Sequence, residues 1–253
     1  GVQIVAGICA GLCYLAMFGE SFNLAPTKGH SWWQAGLAEM LYTFMLCFVV
    51  LNVAASNVHA GKNQFYGLAI GFVIVAGAYS GGSVSMGCFN PAVAFGIDVS
   101  SAYYGVKYCF VYTAFELVGA AIAAGAFKVC RGAQEENAEA EPEIGAKLLS
   151  EFLGTFMLVL TVGLNVLSDS TAGAFSIAAS LMCMIFALGT CSGAHFNPAV
   201  TTAIVCSGRG KCSPKDGAMF MGVQVVAGIC AAFTYSAMMN GETFPLKPAA
   251  YKW

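Results

Sequence analysis

The chain holds 253 residues, 58% of them hydrophobic and only 9% charged, with a net charge of −2 and a mean hydropathy of +0.73. Soluble domains carry about 25% charged residues, so this composition cannot cover a water-facing surface, and it offers no basic patch for nucleic acid. Disorder, a collagen-like fibre and nucleic-acid binding are excluded, which leaves a multi-pass protein of the lipid bilayer.

A spanning helix needs roughly 20 mostly apolar residues. In chain order the predicted spans are 1–18, 34–56, 64–82, 104–128, 146–168, 173–191 and 216–239. The apolar stretches between Gly61 and Val99 and between Thr171 and Ser207 each contain a break. A short apolar segment follows each break and starts with the same tripeptide, Asn90-Pro91-Ala92 and Asn197-Pro198-Ala199. At about 10 residues these segments are too short to cross a bilayer. They read as re-entrant half-helices, because irregular backbone at membrane depth is tolerated only inside protein or beside a water-filled cavity. Residues 129–145 carry Glu135, Glu136, Glu139, Glu141 and Glu143 and read as a solvated acidic linker between two halves. The 11 cysteines, among them Cys9, Cys13, Cys47, Cys183 and Cys230, lie in apolar runs without metal-ligand spacing. They read as small apolar packing residues, and neither a metal nor a cofactor is expected.

Two repeats of different period are present. Glu39-x-x-x-Thr43-Phe44 and Glu151-x-x-x-Thr155-Phe156 each open a span that is followed by another span, an Asn-Pro-Ala segment and a further span. A unit with an odd number of spans makes the next unit enter from the opposite side, so the two units are expected to be inverted repeats. The second repeat is longer. Gly1–Met17 and Gly222–Met238 agree at 12 of 17 positions, and the similarity runs on from Gly19-Glu-Ser-Phe to Gly241-Glu-Thr-Phe-Pro-Leu-Lys-Pro. A period of about one complete unit implies that the chain is one window of a longer tandem array.

Residues 33–240 resemble the aquaporin, or major intrinsic protein, family. The resemblance rests on Ser192-Gly-Ala-His-Phe-Asn-Pro-Ala-Val-Thr201, on Gly67-Leu-Ala-Ile-Gly-Phe72 leading to Phe89-Asn-Pro-Ala-Val-Ala-Phe-Gly96, and on the two Glu-x-x-x-Thr-Phe openings. It implies an all-α polytopic protein: a right-handed bundle of six spanning helices and two half-helices, here with one additional N-terminal spanning helix. Against the family order the spans read third, fourth, fifth, sixth, first, second, third. The implied division is 1–26 as an extra third-helix-like span, 33–128 as the half with the second half-helix, 129–145 as the linker, and 146–240 as the half with the first half-helix. Either 33–240 assembles a complete pore as a circular permutant, or 1–18 supplies the third position and 216–239 belongs to a neighbouring unit. The resemblance puts Lys62, Lys128, Arg131, Lys147, Arg209, Lys211 and Lys215 on the cytoplasmic side, seven of the 11 Lys and Arg, as the positive-inside rule expects.

The same resemblance assigns the site. Asn90, Pro91, Ala92, Asn197, Pro198 and Ala199 form the pore centre, where two half-helices meet with their positive dipole ends toward the middle and repel cations. The amides of Asn90 and Asn197 offer N–H donors to a passing oxygen. Glu39, Glu151 and His195 are expected to buttress the re-entrant loops, His195 with pH gating as the alternative. Ile177, Ala78, Gly87 and Val93 match the narrow filter, with Val93 where family water channels usually have Arg. Glu116 stands where the family is usually uncharged and is expected to pair across a subunit contact. The implied function is a passive channel for water and small neutral solutes such as glycerol, working in the bilayer as a tetramer-like oligomer and binding no nucleic acid. The competing reading is an aquaporin-like scaffold that conducts little. No nucleophile–base pair or nucleotide motif suggests an enzyme.

Overall fold

The computed structural model describes residues 1–60 and 62–246. Lys247 and Pro248, the end of the repeated loop, lie outside them. The described residues form ten α-helices and no strand: α1 (Val2–Phe18), α2 (Trp32–Val50), α3 (Tyr66–Ser80), α4 (Gly82–Ser85), α5 (Pro91–Ser100), α6 (Tyr108–Glu136), α7 (Ile144–Leu167), α8 (Gly173–Ser192), α9 (Pro198–Cys206) and α10 (Pro214–Met238). Leu51–Ala55 continues α2 as a π-turn. With that turn α2 counts 24 residues, and α2, α6, α7, α8 and α10 are long and apolar enough to cross a membrane.

Sequence dictates the helix starts. Asn90 and Asn197 stand as extended N-caps, each side-chain oxygen accepting from the N–H two residues on, at 2.9 and 2.8 Å, and Pro91 and Pro198 take the first helical position. Proline lacks the N–H that a helix start cannot pair, and an Asn side chain satisfies the next orphan donor. Ser31 and Gln34 close a reciprocal capping box at α2.

Packing repeats between the halves. α2 lies against α6 and α3 as α7 lies against α10 and α8; α3 on α8 joins the halves, and α6 meets α7. Half-helix α5 rests on α6 as α9 rests on α10. The seam is filled by Met45, Phe48, Met157, Leu160, Met184 and Leu188, all fully buried. A polar thread crosses it: Ser80 donates to the Tyr42 hydroxyl at 2.6 Å, which lies 3.0 Å from Thr161 Oγ1, and Thr161 donates to Ser180. Within this chain α10, not α1, takes the place beside α7.

The segment expected to be a solvated linker departs from that reading only at its start. α6 continues to Glu136, and Arg131 is buried, donating to Asn52 Oδ1 (2.8 Å), Gln134 Oε1 (2.6 Å) and the Ala187 carbonyl (2.6 Å). Glu135 accepts from Ser56 and from the Asn57 amide. One glutamate, Glu135, here holds a turn while Glu136, Glu139, Glu141 and Glu143 are exposed, and the guanidinium has enough acceptors to be buried without an acid.

The two copies of the long repeat have different surroundings. α1 has no buried residue and, among the described residues, packs chiefly on α5, through Gly7 and Gly11 against Ala92, Gly96 and Ser100. A Cβ on Gly7 would stand 2.1 Å from the Ala92 carbonyl oxygen, so only glycine lets these backbones approach. Its counterpart in α10, Gly228, has nothing within 4 Å. Conversely Gln224, Ala227, Ala231 and Tyr235 of α10 are buried while the matching Gln3, Ala6, Ala10 and Tyr14 of α1 are exposed.

Gly7→Leu is therefore expected to detach α1 from α5 and lower thermal stability, by roughly 1–3 kcal/mol for overpacking, whereas Gly228→Leu leaves stability within about 0.5 kcal/mol. Thermal unfolding of both purified variants checks the contrast; equal effects would count against the α1–α5 contact.

Candidate functional site

Each re-entrant loop is held by one buried carboxylate. Glu39 Oε1 accepts from Ser85 Oγ (2.6 Å) and the Cys88 amide (2.9 Å), and its Oε2 accepts from the Phe89 amide (2.6 Å). Glu151 repeats the pattern with Ser192 Oγ (2.6 Å), the His195 amide (3.0 Å) and the Phe196 amide (2.7 Å). Both glutamates are 0% exposed. A buried carboxylate is tolerated because several donors replace its water, and charge-assisted bonds of this kind are short.

The carboxylates hold backbone that would not stay in place alone. Phe89 and Phe196 have φ of 55° and 52°, and Met86 and Ala194 are left-handed as well. A non-glycine residue in such a conformation costs about 1–3 kcal/mol. The phenylalanine rings are buried: Phe89 lies on Gly77 and Tyr42, and Phe196 on Gly154, where a Cβ would come within 2.1 Å of the ring. Ring and carboxylate together turn the chain so that Asn90 and Asn197 begin their half-helices.

The halves differ one step further out. In the second, Gln224 Nε2 donates to Glu151 Oε2 (2.8 Å) and to Thr201 Oγ1 (3.0 Å), and Thr201 lies 3.1 Å from His195 Nδ1. His195 is buried in this closed network. In the first half the matching place on α6 is held by Glu116, with Cys88 in place of His195 and Ala94 in place of Thr201. Glu116 is 0% exposed and neither of its oxygens has a hydrogen-bond partner among the described residues. The expectation that it pairs across a subunit contact is overturned, because it points inward, beside Cys88 and the Asn90 amide and facing Glu39.

Asn90 and Asn197 are both exposed at the tips of α5 and α9, each with its oxygen engaged by its own helix. Asn90 and Pro91 line a cavity of about 460 Å³ with Thr43, Cys47, Glu116 and Leu117. Pro198 is half-buried and Ala92 and Ala199 flank the caps. Of the four filter positions, Val93 and Ala78 are exposed and Ile177 and Gly87 half-buried. Ser176, next to Ile177, donates to the Ala76 carbonyl at 3.0 Å, and Cys183 donates to the Ala69 carbonyl, so α8 and α3 run antiparallel in contact along this stretch. Gln224, Thr201, Ser85 and Ser192 were not singled out from sequence. The available signal was a lone amide in an apolar helix, present in both copies of the Gly-Val-Gln repeat.

The model of the family described as major intrinsic protein matches residues 1–127 and 138–251. The chain belongs to the major intrinsic protein family. Its two matched segments meet at the acidic stretch where one half of the fold passes to the other. As a major intrinsic protein it is an integral, multi-pass membrane protein. Similar proteins include "Probable aquaporin-3" of Gibberella zeae, 34% identical over 140 residues, covering 54% of this chain and 48% of that protein. "Aquaporin-8" of Rattus norvegicus is 29% identical over 204 residues, covering 72% and 75%. "Glycerol uptake facilitator protein-like 6" of Lactiplantibacillus plantarum is 31% identical over 174 residues, covering 64% and 79%. The chain thus spans about half the length of the first of these relatives.

Glu151→Ala leaves four donors without an acceptor and is expected to cost roughly 3–5 kcal/mol of stability. Glu39→Ala, with three donors, costs less, and Gln224→Ala about 1–3 kcal/mol. Thermal unfolding in one detergent ranks them, and a Gln224→Ala loss as large as that of Glu151→Ala would contradict the order of dependence.

Proposed function

We propose that the chain forms a passive transmembrane channel for water and small uncharged solutes such as glycerol, and that it excludes ions and protons. The observation that carries this reading is the duplicated arrangement of a buried glutamate, a left-handed loop and an Asn-capped half-helix. It fixes two helix N-termini whose Asn oxygens are already used, so that each amide is left to donate. In the proposed pore, Asn90-Pro91-Ala92 and Asn197-Pro198-Ala199 come together at mid-membrane depth. The two positive helix ends repel cations, including hydronium. An oxygen held by both amides points its hydrogens outward and interrupts a proton wire. The similarity to proteins named as aquaporins and as a glycerol uptake facilitator supports the solute class. No catalysis is proposed, and the active form is a tetramer-like assembly with a pore in each unit.

The proposed constriction is formed by Ile177, Ala78, Gly87 and Val93. Without a guanidinium it is wider and less polar than one that contains Arg, which favours solutes larger than water. The proposed division of the chain is into an α1 segment (1–26), a half from 33 to 128, the linker from 129 to 145 and a half from 146 to 240. A second reading, a scaffold that conducts little, is favoured by one observation: α5, which begins with Asn90-Pro91, is clasped along Ala92, Gly96 and Ser100 by the extra helix α1.

Stopped-flow swelling of proteoliposomes under water and glycerol gradients tests both readings. Permeability to both above that of empty vesicles is expected, and permeability to neither selects the scaffold. Val93→Arg is expected to lower the glycerol-to-water permeability ratio several-fold, since the guanidinium fills cross-section and adds five N–H donors for water. An unchanged ratio would remove Val93 from the constriction.

A further inference from the structure

Glu116 is a buried acid that the proposed channel does not use. Its counterpart Gln224 spends its amide N–H groups on Glu151 and Thr201. A carboxylate has only acceptors, so Glu116 can offer Glu39 nothing of the kind. Both oxygens of Glu116 stand without a partner in a side chain that is 0% exposed. An ionised carboxylate left in that state is costly unless a cation or a donor reaches it. On the facing helix the Thr43 hydroxyl is also buried without a partner.

Both groups line the cavity of about 460 Å³ between α2 and α6, and Asn90 stands at its end. The remaining wall is apolar, with Leu46, Val50, Leu51, Leu117, Ala120 and Ala124 among its residues. It extends over nine residues of each helix, from Thr43 to Leu51 and from Glu116 to Ala124, eight rises of 1.5 Å or about 12 Å. One polar, acidic end and an apolar trough of that length call for a ligand with a cationic donor head and a short hydrocarbon tail.

We propose that the α2–α6 cavity binds a primary alkylammonium ion, its head paired with Glu116 and hydrogen-bonded by Thr43, and its chain of about four to eight carbons lying along Leu46, Val50 and Leu117. The NH₃⁺ group brings three donors and a positive charge to oxygens that have only the Cys88 thiol and the Asn90 amide beside them. A neutral alcohol of the same length fills the trough and brings no charge. A longer tail runs beyond Ala124.

The test uses the full chain in lipid nanodiscs, with n-hexylammonium and n-hexanol as probes. Hexylammonium is expected to raise the unfolding temperature saturably, and hexanol is not. Glu116→Gln places in α6 the amide that α10 carries at Gln224; it should fold as well as the parent and bind hexylammonium about tenfold more weakly or worse, the loss of a contact to a charged group. Ala124→Trp, which fills the trough but spares the acid, provides an independent variant and should weaken hexylammonium more than ethylammonium. Equal shifts with hexanol and hexylammonium would reduce the cavity to an apolar slot and overturn the assignment. Undiminished hexylammonium binding by Glu116→Gln, or no shift in the parent, would overturn it as well.

Discussion

Everything at the centre of this molecule depends on two carboxylates out of reach of water. A loop that dips into a bilayer and returns leaves backbone N–H groups without helical partners, and hydrocarbon provides none. Glu39 and Glu151 each gather two of those groups together with side-chain donors, three donors in all on one and four on the other. One net hydrogen bond contributes only about 1 kcal/mol, less than the strain of a single left-handed phenylalanine. Several bonds converging on one carboxylate, with a buried ring beside them, are what hold the turn. The N-terminus of each half-helix is positioned by that turn.

The two halves use the same arrangement and complete it differently. In one, Gln224, Thr201 and His195 close the network so that each side chain has a partner. In the other, an acid, a thiol and a methyl occupy the corresponding places, and the network stays open at Glu116. Related halves tolerate this because the inner contacts, carboxylate to loop amide, are preserved. The outer shell can then vary in charge without moving the half-helix.

Much of this was legible in the sequence, for physical reasons. Spanning helices show themselves as long apolar runs, and the starts of α5 and α9 follow from an N-capping Asn and a first-turn Pro. The carboxylates at 39 and 151 stood out because an acid inside an apolar run needs a special partner. Arg131 and Glu135 were less legible, since a charge near a helix end reads as solvent-facing until the acceptors that surround it are known; those come from Asn52, Gln134 and Ala187. Glu116 was noticed as an anomaly but assigned to the wrong surroundings. Sequence shows the presence of a charge, and only packing shows which neighbours it faces. The unequal surroundings of α1 and α10 were also hidden, because near-identical helices carry the same two faces and only the fold decides which is covered.

The spacing of donors and acceptors along the chain also bears on how the protein is made. Glu39 precedes the groups it holds by 46 to 50 residues, and Glu151 precedes its own by 41 to 45. At about 5–20 residues per second of synthesis, each loop leaves the ribosome several seconds after the helix that bears its acceptor. The acceptor of each re-entrant turn is therefore made before the donors it gathers. Gln224, which follows Glu151 by 73 residues, is the last of its donors to be made.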